Sequence, residues 1–231
     1  MNLSEKVIVI TGAKGGLGNA VTSAFLEAGA RVAGVSRSID DTDFPHPRFT
    51  AVRAELSGGD AATTVMKTVT AKWGRIDALI HLVGGFDGGV PVERTTDAAI
   101  QKMFDLNFRS AFLVMRSVVP QMREQGSGRI VAIGSRAGLE SSPMLSAYAA
   151  SKAALLSLVR TLAVEIKNDG ITVNAVLPAM MDTPANRAAM PEADPSKWIQ
   201  PKQVANLLLY LVSDEAASTT GALLPLYGRE L

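Results

Sequence analysis

Cysteine is absent from this chain of 231 residues. Its absence excludes a disulfide framework, a cysteine-ligated zinc or iron–sulfur site and a thiol nucleophile. A strong charge of one sign is also missing, because 23 basic and 22 acidic side chains leave a net charge of +1. This balance gives no electrostatic reason to expect nucleic acid or an anionic membrane as the main partner.

Long apolar runs are missing as well. No stretch of about 18 or more apolar residues is present, so we expect no membrane span. The apolar run Val7–Ile10 is too short for the core of a signal peptide, and it follows Glu5 and Lys6. We therefore expect a cytoplasmic protein, with which the lack of cysteine is compatible.

What the chain does contain favours one folded domain. Apolar residues make up 47% and charged residues 19%, which excludes disorder, and the length fits a single α/β domain over residues 1–231. Short apolar runs rich in Val and Ile alternate with longer helical patterns. This rhythm predicts a doubly wound parallel sheet of about seven strands with helices on both faces.

The predicted strands and helices alternate along the chain. The strands are Lys6–Thr11, Arg31–Ser36, Phe49–Arg53, Ala78–Val83, Arg129–Gly134, Ile171–Val176 and Ala222–Leu226. The helices are Gly18–Ala28, Asp60–Trp73, Thr95–Arg123, Ala147–Asn168 and Pro201–Ser213. Two stretches lack a clear element. Residues 40–47 are a predicted surface loop, and residues 180–200, with their prolines, are a predicted lid over the substrate.

Several of the 20 glycines follow the first predicted strand. A glycine-rich turn between a strand and a helix lets backbone N–H groups approach a pyrophosphate, which the helix N-terminus also attracts. The sequence therefore predicts a nucleotide site here, although structural turns also use glycine. Its predicted binding residues are Gly12, Lys14, Gly15, Gly16, Leu17 and Gly18.

The end of the second predicted strand indicates which nucleotide binds. Ser36 and Arg37 stand where an acid would bind the ribose of NAD and an arginine would accommodate the 2′-phosphate of NADP. Asp40 and Asp41 lie too far beyond the strand to be that acid. With Lys14 as a second cation, the sequence favours NADP(H) and leaves NAD(H) possible; the alternative is two solvated surface cations.

A tyrosine and a lysine four residues apart begin the fourth predicted helix. Residues at this spacing share a helix face, so the Tyr148 phenol and the Lys152 ammonium point the same way. The cation is expected to lower the phenol pKa from about 10 and to make Tyr148 a usable acid. Ser135 follows the preceding strand, at the sheet edge where ligands bind, and could hydrogen-bond a substrate oxygen. The alternative is an exposed helix face and a turn serine.

Asn107 lies in the middle of the third predicted helix. Asparagine is unfavourable in helix interiors, because its amide competes for backbone hydrogen bonds. We therefore expect a specific role for its side chain, the alternative being a tolerated polar residue.

In their order and spacing, these motifs resemble the short-chain dehydrogenase/reductase family over nearly the whole chain. The resemblance is carried by the Thr11–Gly18 turn, Asn107, Ser135, Tyr148 with Lys152, and Asn174–Pro178. It implies a Rossmann-like fold. It also implies hydride transfer from a nicotinamide cofactor to a carbonyl or imine-like group of a small molecule.

The resemblance implies a role for each matching residue. Tyr148 would give the proton to the substrate oxygen, Lys152 would lower its pKa and bind the nicotinamide ribose, and Ser135 would orient the carbonyl. Asn107 would support a water leading to Lys152. By the same resemblance, the further cofactor contacts are Glu55, Leu56, Val83, Gly84, Gly85, Pro178, Met181 and Thr183.

The chain departs from the family pattern after the fourth predicted strand. His81-Leu82-Val83-Gly84 replaces Asn-Asn-Ala-Gly, and a lone strand histidine is more often structural than catalytic. Residues 84–89, 182–198 and 227–231 are similar to the loops and tail of dihydropteridine reductases, whose animal members lack the serine and favour NADH. Quinonoid dihydropteridine reduction is therefore an alternative function, and a non-catalytic dinucleotide sensor is a remote one.

Partners are expected to be further copies of the chain. The predicted helices Thr95–Arg123 and Ala147–Asn168 carry more apolar surface than one core needs, and the family commonly packs such helices into a four-helix interface. We expect a homodimer or homotetramer and a small-molecule substrate, with no nucleic acid, no membrane and no metal.

Overall fold

The computed structural model describes residues 3–140 and 142–228. Within them, seven strands form one sheet, and every neighbouring pair is parallel. The strands are β1 (Val7–Thr11), β2 (Arg31–Ser36), β3 (Phe49–Arg53), β4 (Ala78–His81), β5 (Gly128–Ile133), β6 (Ile171–Pro178) and β7 (Leu223–Leu226). Their order is β3-β2-β1-β4-β5-β6-β7. This sheet confirms the predicted doubly wound, Rossmann-like fold.

Seven α-helices accompany the sheet in the described part of the chain. They are α1 (Gly16–Glu27), α2 (Gly59–Trp73), α3 (Asp97–Phe104), α4 (Ser110–Gln125), α5 (Ser146–Glu165), α6 (Pro184–Ala189) and α7 (Pro201–Val212). Buried side chains of α2, α4 and α5 form a core on one face of the sheet. Those of α1 and α7 form a second core on the other face. Helices therefore cover both faces, as the continuously apolar strands require.

The strand order places a ligand site at one edge of the sheet. The chain runs outward from β1 in one direction and from β4 in the other, so β1 and β4 are neighbours with diverging connections. A crevice forms outside the carboxyl ends of the strands at such a switch point. The segments after β1, β2, β4, β5 and β6 all leave from this edge.

Most predicted elements differ from the observed ones by one to three residues at an end, and three of these differences bear on the site. Strand β6 runs two residues past its predicted end, because residues 177–178 pair with residues 225–226 of β7. Strand β4 ends at His81, so Val83 belongs to the following loop. The helix predicted over residues 95–123 begins at Asp97, where Thr96 caps it, and a π-helical segment, Asp105–Arg109, separates α3 from α4.

Both stretches without a predicted element contain short helical turns. Residues 40–47 include a 3₁₀ turn at Asp41–Asp43, in which Asp40 accepts a hydrogen bond from the Thr42 N–H. Residues 180–200 include α6 and a second 3₁₀ turn, Pro195–Lys197. An isolated parallel bridge between Met181 and Ile199 joins the two ends of this segment. The 180–200 segment is therefore folded, and its two ends lie side by side after β6.

One helix of the described residues, α5, is long and apolar enough to cross a membrane by length and composition alone. In the fold it packs beside β6, and 39% of its apolar window is buried inside the structure. A single helix of this kind is weak evidence for a membrane, because core helices meet the same criterion.

Candidate active site

The glycine turn connects β1 to α1 by close backbone packing. Gly12 has a φ of +73°, a conformation that other residues rarely adopt. A Cβ there would lie 3.2 Å from the Leu82 carbonyl carbon and from the Val83 nitrogen. A Cβ on Gly18 would overlap the Gly12 carbonyl oxygen. Glycine is therefore required at both positions to hold the turn against α1 and the loop after β4.

Two further glycines keep the start of α1 open. Gly15 is the N-cap residue and supplies no side-chain cap, and its own N–H donates to the Gly12 carbonyl oxygen at 2.9 Å. A Cβ on Gly16 would lie 3.1 Å from the Thr183 Cβ, so the 180–200 segment meets the turn here. The Leu17 side chain lies in the core, which leaves only its backbone for a ligand. An anion at this helix start would meet N–H groups without a side-chain cap.

A cleft of about 830 Å³ opens beside this turn, at the carboxyl ends of β1, β2 and β4. Its volume is typical of ligand pockets. Nine predicted cofactor residues line it, namely Gly12, Lys14, Gly15, Ser36, Arg37, Glu55, Leu56, Val83 and Gly84. Sequence reasoning missed Lys102, Asp105 and Ser110, which also line the cleft. The sequence pattern assigned no role to these three residues.

Both cations predicted near the nucleotide are paired with carboxylates. The Lys14 ammonium lies 2.8 Å from Asp43 Oδ1 and donates to the Ser38 carbonyl oxygen at 3.0 Å. Arg37 Nε lies 3.6 Å from Glu55 Oε2, and 80% of the Arg37 side chain is exposed. The hydrogen bond from Lys14 lowers the pKa of Asp43 below its ordinary value. Asp43 carried no sequence signal, because only the folded 41–43 turn brings it to Lys14.

Ser135 and Tyr148 come from different elements and meet at the carboxyl end of β5. The Ser135 hydroxyl accepts a hydrogen bond from the Ala137 N–H at 3.2 Å, and it lies close enough to the Tyr148 phenol to affect its pKa. Tyr148 lies in the first turn of α5, and the Phe86 ring meets its ring with 5.0 Å between centroids. The two hydroxyl groups are thus placed to bind one substrate oxygen together.

The pKa of Tyr148 shifts in the direction opposite to the sequence expectation. Burial raises this pKa above its ordinary value, and the nearby Ser135 hydroxyl opposes the rise. The Lys152 ammonium lies 6.0 Å from the centroid of the Tyr148 ring and donates to the Ile133 carbonyl oxygen. The predicted net lowering of the tyrosine pKa was therefore wrong for this arrangement, because desolvation of the phenolate outweighs the groups that favour the phenolate.

Lys152 lies one helical turn beyond Tyr148 and is itself buried. Burial lowers its pKa from 10.5 to about 8, because the charged form loses its hydration. Its Nζ donates to the Ile133 carbonyl oxygen at 2.9 Å, and a Cβ on Gly84 would lie 3.4 Å from it. The ammonium group therefore lies between α5, the end of β5 and the loop after β4.

Asn107 lies in the π-helical segment, and its side chain reaches the same loop. Its Oδ1 accepts the Gly85 N–H at 2.9 Å, while its Nδ2 donates to the Gly85 carbonyl oxygen at 3.0 Å. The Nδ2 also donates to Ser151 Oγ at 3.1 Å, and Ser151 donates to the Tyr148 carbonyl oxygen at 2.7 Å. The widened π turn thus directs this amide to the β4 loop and to α5.

The residues predicted beside the nicotinamide follow from β6. Pro178 is buried at the end of the strand, Met181 is half-buried in the bridge to Ile199, and Thr183 caps α6 against Gly16. Of the three, Thr183 is the one that the fold brings against the glycine turn. Asp182 holds this segment through an ion pair with Arg187 at 2.5 Å, which lowers the pKa of Asp182 to about 2.

His81 is fully buried at the end of β4 and links three elements. Its Nδ1 is hydrogen-bonded to Thr11 Oγ1 at 2.9 Å, and its Nε2 to Ser110 Oγ at 3.3 Å. Burial, assisted by the charge of Lys152, lowers its pKa from 6.5 to about 3. The imidazole is therefore neutral at neutral pH and ties β1 and β4 to α4, a structural role.

We expect His81 to make the protein sensitive to acid. The unfolded chain binds a proton at His81 near pH 6.5, whereas the folded protein binds it near pH 3, so stability is lost as pH falls through this window. Between neutral pH and pH 5 the loss from this group is about 2 kcal/mol. Urea unfolding should show His81→Asn losing about 2 kcal/mol less than wild type on this acidification. Equal losses in the two proteins would contradict the assignment.

Comparison with known proteins adds an independent observation. A family model described as short chain dehydrogenase matches residues 6–194. The short-chain dehydrogenase/reductase cdmF of Talaromyces verruculosus is 31% identical over 96% of this chain and 96% of its own length. The 3-oxoacyl-[acyl-carrier-protein] reductase of Thermotoga maritima is 31% identical over 99% of this chain and 98% of its own.

Solved structures are similar over the same extent. The crystal structure of gox2181 has a TM-score of 0.92 and 29% sequence identity, covering 99% of this chain and 96% of that one. None of these matches shows the similarity to dihydropteridine reductases that residues 84–89 and 182–198 predicted. The last three residues of the similar tail, 229–231, lie outside the described residues.

Proposed function

The chain belongs to the short-chain dehydrogenase family, and from this premise we propose that it reduces a carbonyl or imine-like group of a small molecule with NAD(P)H. The observation that carries the proposal is the placement of Ser135 and Tyr148 together beside the buried Lys152. Lys152 lies against Gly84, which lines the 830 Å³ cleft, so the pair adjoins a ligand-sized space. By its name, the Thermotoga relative also reduces a carbonyl group, that of a 3-oxoacyl chain.

The residues around the cleft fit a dinucleotide. The glycine turn and the start of α1 would hold the pyrophosphate, and Ser36 and Arg37 the adenosine ribose with its 2′-phosphate. Lys152 would hold the nicotinamide ribose, and Thr183 would lie beside the nicotinamide. When bound, this group supplies the hydride that reduces the substrate. The 180–200 segment would act as the lid, since its Thr183 already contacts Gly16.

The chain's own residues handle the substrate oxygen and its proton. Ser135 holds the oxygen by a hydrogen bond, and the Tyr148 hydroxyl donates its proton to it. The raised pKa keeps Tyr148 protonated until the substrate oxygen becomes basic enough to accept. The Lys152 ammonium then stabilises the phenolate that remains. Asn107 positions the loop after β4 and Ser151, and so acts through its neighbours.

Binding and turnover together test this proposal. Calorimetric titration with NADPH and NADH measures cofactor binding, and a carbonyl panel that includes quinonoid dihydropterin measures turnover. Binding of neither dinucleotide would contradict the proposal. Binding without turnover of any substrate would favour the dinucleotide sensor instead.

We further propose a preference for NADP(H) over NAD(H). Lys14 and Arg37 line the cleft beside Ser36, where a 2′-phosphate would lie. Asp43 and Glu55 partly neutralise these cations, which limits the preference. A carboxylate beside a cation repels the phosphate that the cation would otherwise bind.

Removing the charge of Asp43 should therefore strengthen NADPH binding. We expect Asp43→Asn to raise the affinity for NADPH about fivefold and to leave that for NADH within about twofold. The control is Asp214→Asn, which breaks another lysine–aspartate pair, Lys6–Asp214 at 3.3 Å, with a more exposed aspartate at the opposite end of β1. Titration of both cofactors into wild type and the two variants measures the ratio of the NADPH affinity to the NADH affinity. An unchanged ratio in Asp43→Asn would contradict the assignment.

We also propose that the protein is a homodimer or homotetramer in the cytoplasm. The exposed apolar residues Phe112 on α4 and Val164 on α5 support an interface on these two helices. Light scattering tests the assembly, and a monomer at micromolar concentration would contradict it. Cell fractionation tests the location.

A further inference from the structure

Exposed apolar side chains concentrate on the loops around Tyr148. The described residues include ten large hydrophobic side chains that are exposed, and six of them follow β4, β5 or β6. We call these six the apolar rim: Phe86, Val90, Val92, Leu139, Met144 and Met180. All three loops leave the sheet edge at which Ser135 and Tyr148 meet. Apolar surface of this kind beside a reactive group indicates a surface that contacts an apolar partner.

Phe86 is the member of the rim that touches Tyr148. The two ring centroids are 5.0 Å apart and the ring planes meet at 70°, yet 64% of Phe86 remains exposed. The planes of the Phe86 and Tyr148 rings therefore enclose a corner. A flat apolar group can lie along one ring and meet the edge of the other, the arrangements that aromatic groups prefer.

Backbone packing holds Phe86 at this corner. A Cβ on Gly88 would lie 2.6 Å from Leu145 Cδ2 and 3.3 Å from Phe86 Cζ, so glycine lets the β4 loop approach the start of α5. The Gly89 N–H donates to the Met144 carbonyl oxygen at 2.9 Å and joins the two loops. The loop that carries Phe86 is therefore held against the start of α5.

Two charged side chains of these loops, Asp87 and Arg136, form ion pairs. Asp87, next to Phe86, forms an ion pair with Lys102 at 3.0 Å. Arg136, next to Ser135, forms one with Glu140 at 2.6 Å and stacks over the Tyr227 ring. Paired charges attract a charged ligand less than single ones do. These two pairs therefore add little attraction for a charged substrate.

We infer that Phe86 contacts the body of the substrate, and that the substrate is a carbonyl compound with an aromatic group next to the carbonyl. The inference rests on the proposed function and names the substrate class of the same site. Phe86 is the specificity-determining residue, because its ring borders the position where Ser135 and Tyr148 bind the carbonyl oxygen.

Steady-state kinetics with two ketones tests the inference. Acetophenone carries the aromatic group and butanone lacks it. For Phe86→Ala with NADPH, we expect KM for acetophenone to rise about tenfold, while KM for butanone and both kcat values stay within about twofold. Phe86→Leu should raise KM for acetophenone by a smaller factor. The control is Tyr210→Ala, which removes an exposed aromatic ring on α7 and should change neither KM.

An equal change in KM for both ketones, or an unchanged KM for acetophenone, would overturn the inference. Calorimetric binding of acetophenone to the NADP-loaded protein gives a readout that does not need turnover. If wild type reduced neither ketone, the proposed function would fail for this class. Tenfold weaker binding to Phe86→Ala would still support the contact, and unchanged binding would overturn it.

Discussion

Tyr148→Phe is expected to lower kcat by roughly 10²- to 10⁴-fold, the usual contribution of a positioned general acid. The substitution removes one hydroxyl and keeps the ring that packs on Phe86. Ser135 would still hold the substrate oxygen, but no group would donate the proton. Because the cleft is lined by other residues, the dissociation constant for NADPH should stay within about twofold.

The control for this variant removes the same hydroxyl elsewhere. Tyr210 lies exposed on α7, and Tyr210→Phe should keep full turnover. Rates measured at saturating substrate and cofactor give kcat for the three proteins, and titration gives the cofactor affinity. Full turnover of Tyr148→Phe would show that another group donates the proton. An equal loss of NADPH binding would show that the tyrosine acts in binding.

Lys152→Met is expected to lower kcat by at least about 100-fold and, unlike Tyr148→Phe, to weaken NADPH binding as well. The variant loses the charge that stabilises the phenolate and the group that would hold the nicotinamide ribose. It also removes a charge that is costly to bury. The pKa of Lys152 is lowered from 10.5 to about 8, which corresponds to roughly 3 kcal/mol of destabilisation while the group is charged.

The variant should consequently be more stable than wild type. Loss of the hydrogen bond to the Ile133 carbonyl oxygen destabilises the variant by roughly 1 kcal/mol. The net gain in the free energy of unfolding is therefore about 2 kcal/mol at pH 7. The pKa of Lys152 is lower in the folded protein than in the unfolded chain. The free-energy penalty for burying its charge in wild type is therefore fully present below pH 8. It fades as pH rises from about 8 to 10.5, and the gain should shrink over this range.

Urea unfolding at neutral and alkaline pH measures the stability of Lys152→Met, and steady-state rates give its kcat. Lys167→Met is the matched control, because Lys167 follows α5 and is exposed; it should change neither turnover nor the pH dependence of stability. Turnover above a tenth of wild type in Lys152→Met would show that the charge is dispensable. Lower stability at pH 7 would show that burial of the ammonium is compensated by its contacts. The expected result is a residue retained for activity at a cost in stability.

Local pattern was sufficient for much of the fold. The bounds of β2 and β3 agree with the prediction, because each is a short apolar run that turns and helices delimit. Gly74 ends α2 in the left-handed conformation that a glycine directly after a helix commonly adopts. Such features depend on neighbouring residues, so the order of residues alone determines them.

Contacts between distant segments explain the expectations that failed or were never formed. The π-helical segment at Asn107 exists where its amide binds Gly85 of another loop, and helical periodicity contains no sign of that loop. The direction of the Tyr148 pKa depends on how much water the fold removes. Asp43 reaches Lys14 only through the turn that folds it back. Each of these effects needs the positions of two or more segments.

The sequence by itself determined the class of sheet, the glycine turn after β1 and the Tyr148–Lys152 spacing on one helix, because strand periodicity, turn chemistry and helix geometry are local. The tertiary structure decided which charges are paired at the cleft, that burial governs the pKa of both Tyr148 and Lys152, and that Phe86 stands beside the reactive phenol. Packing brings these groups together across the sheet edge, and desolvation and aromatic contact act only between groups that packing has brought together.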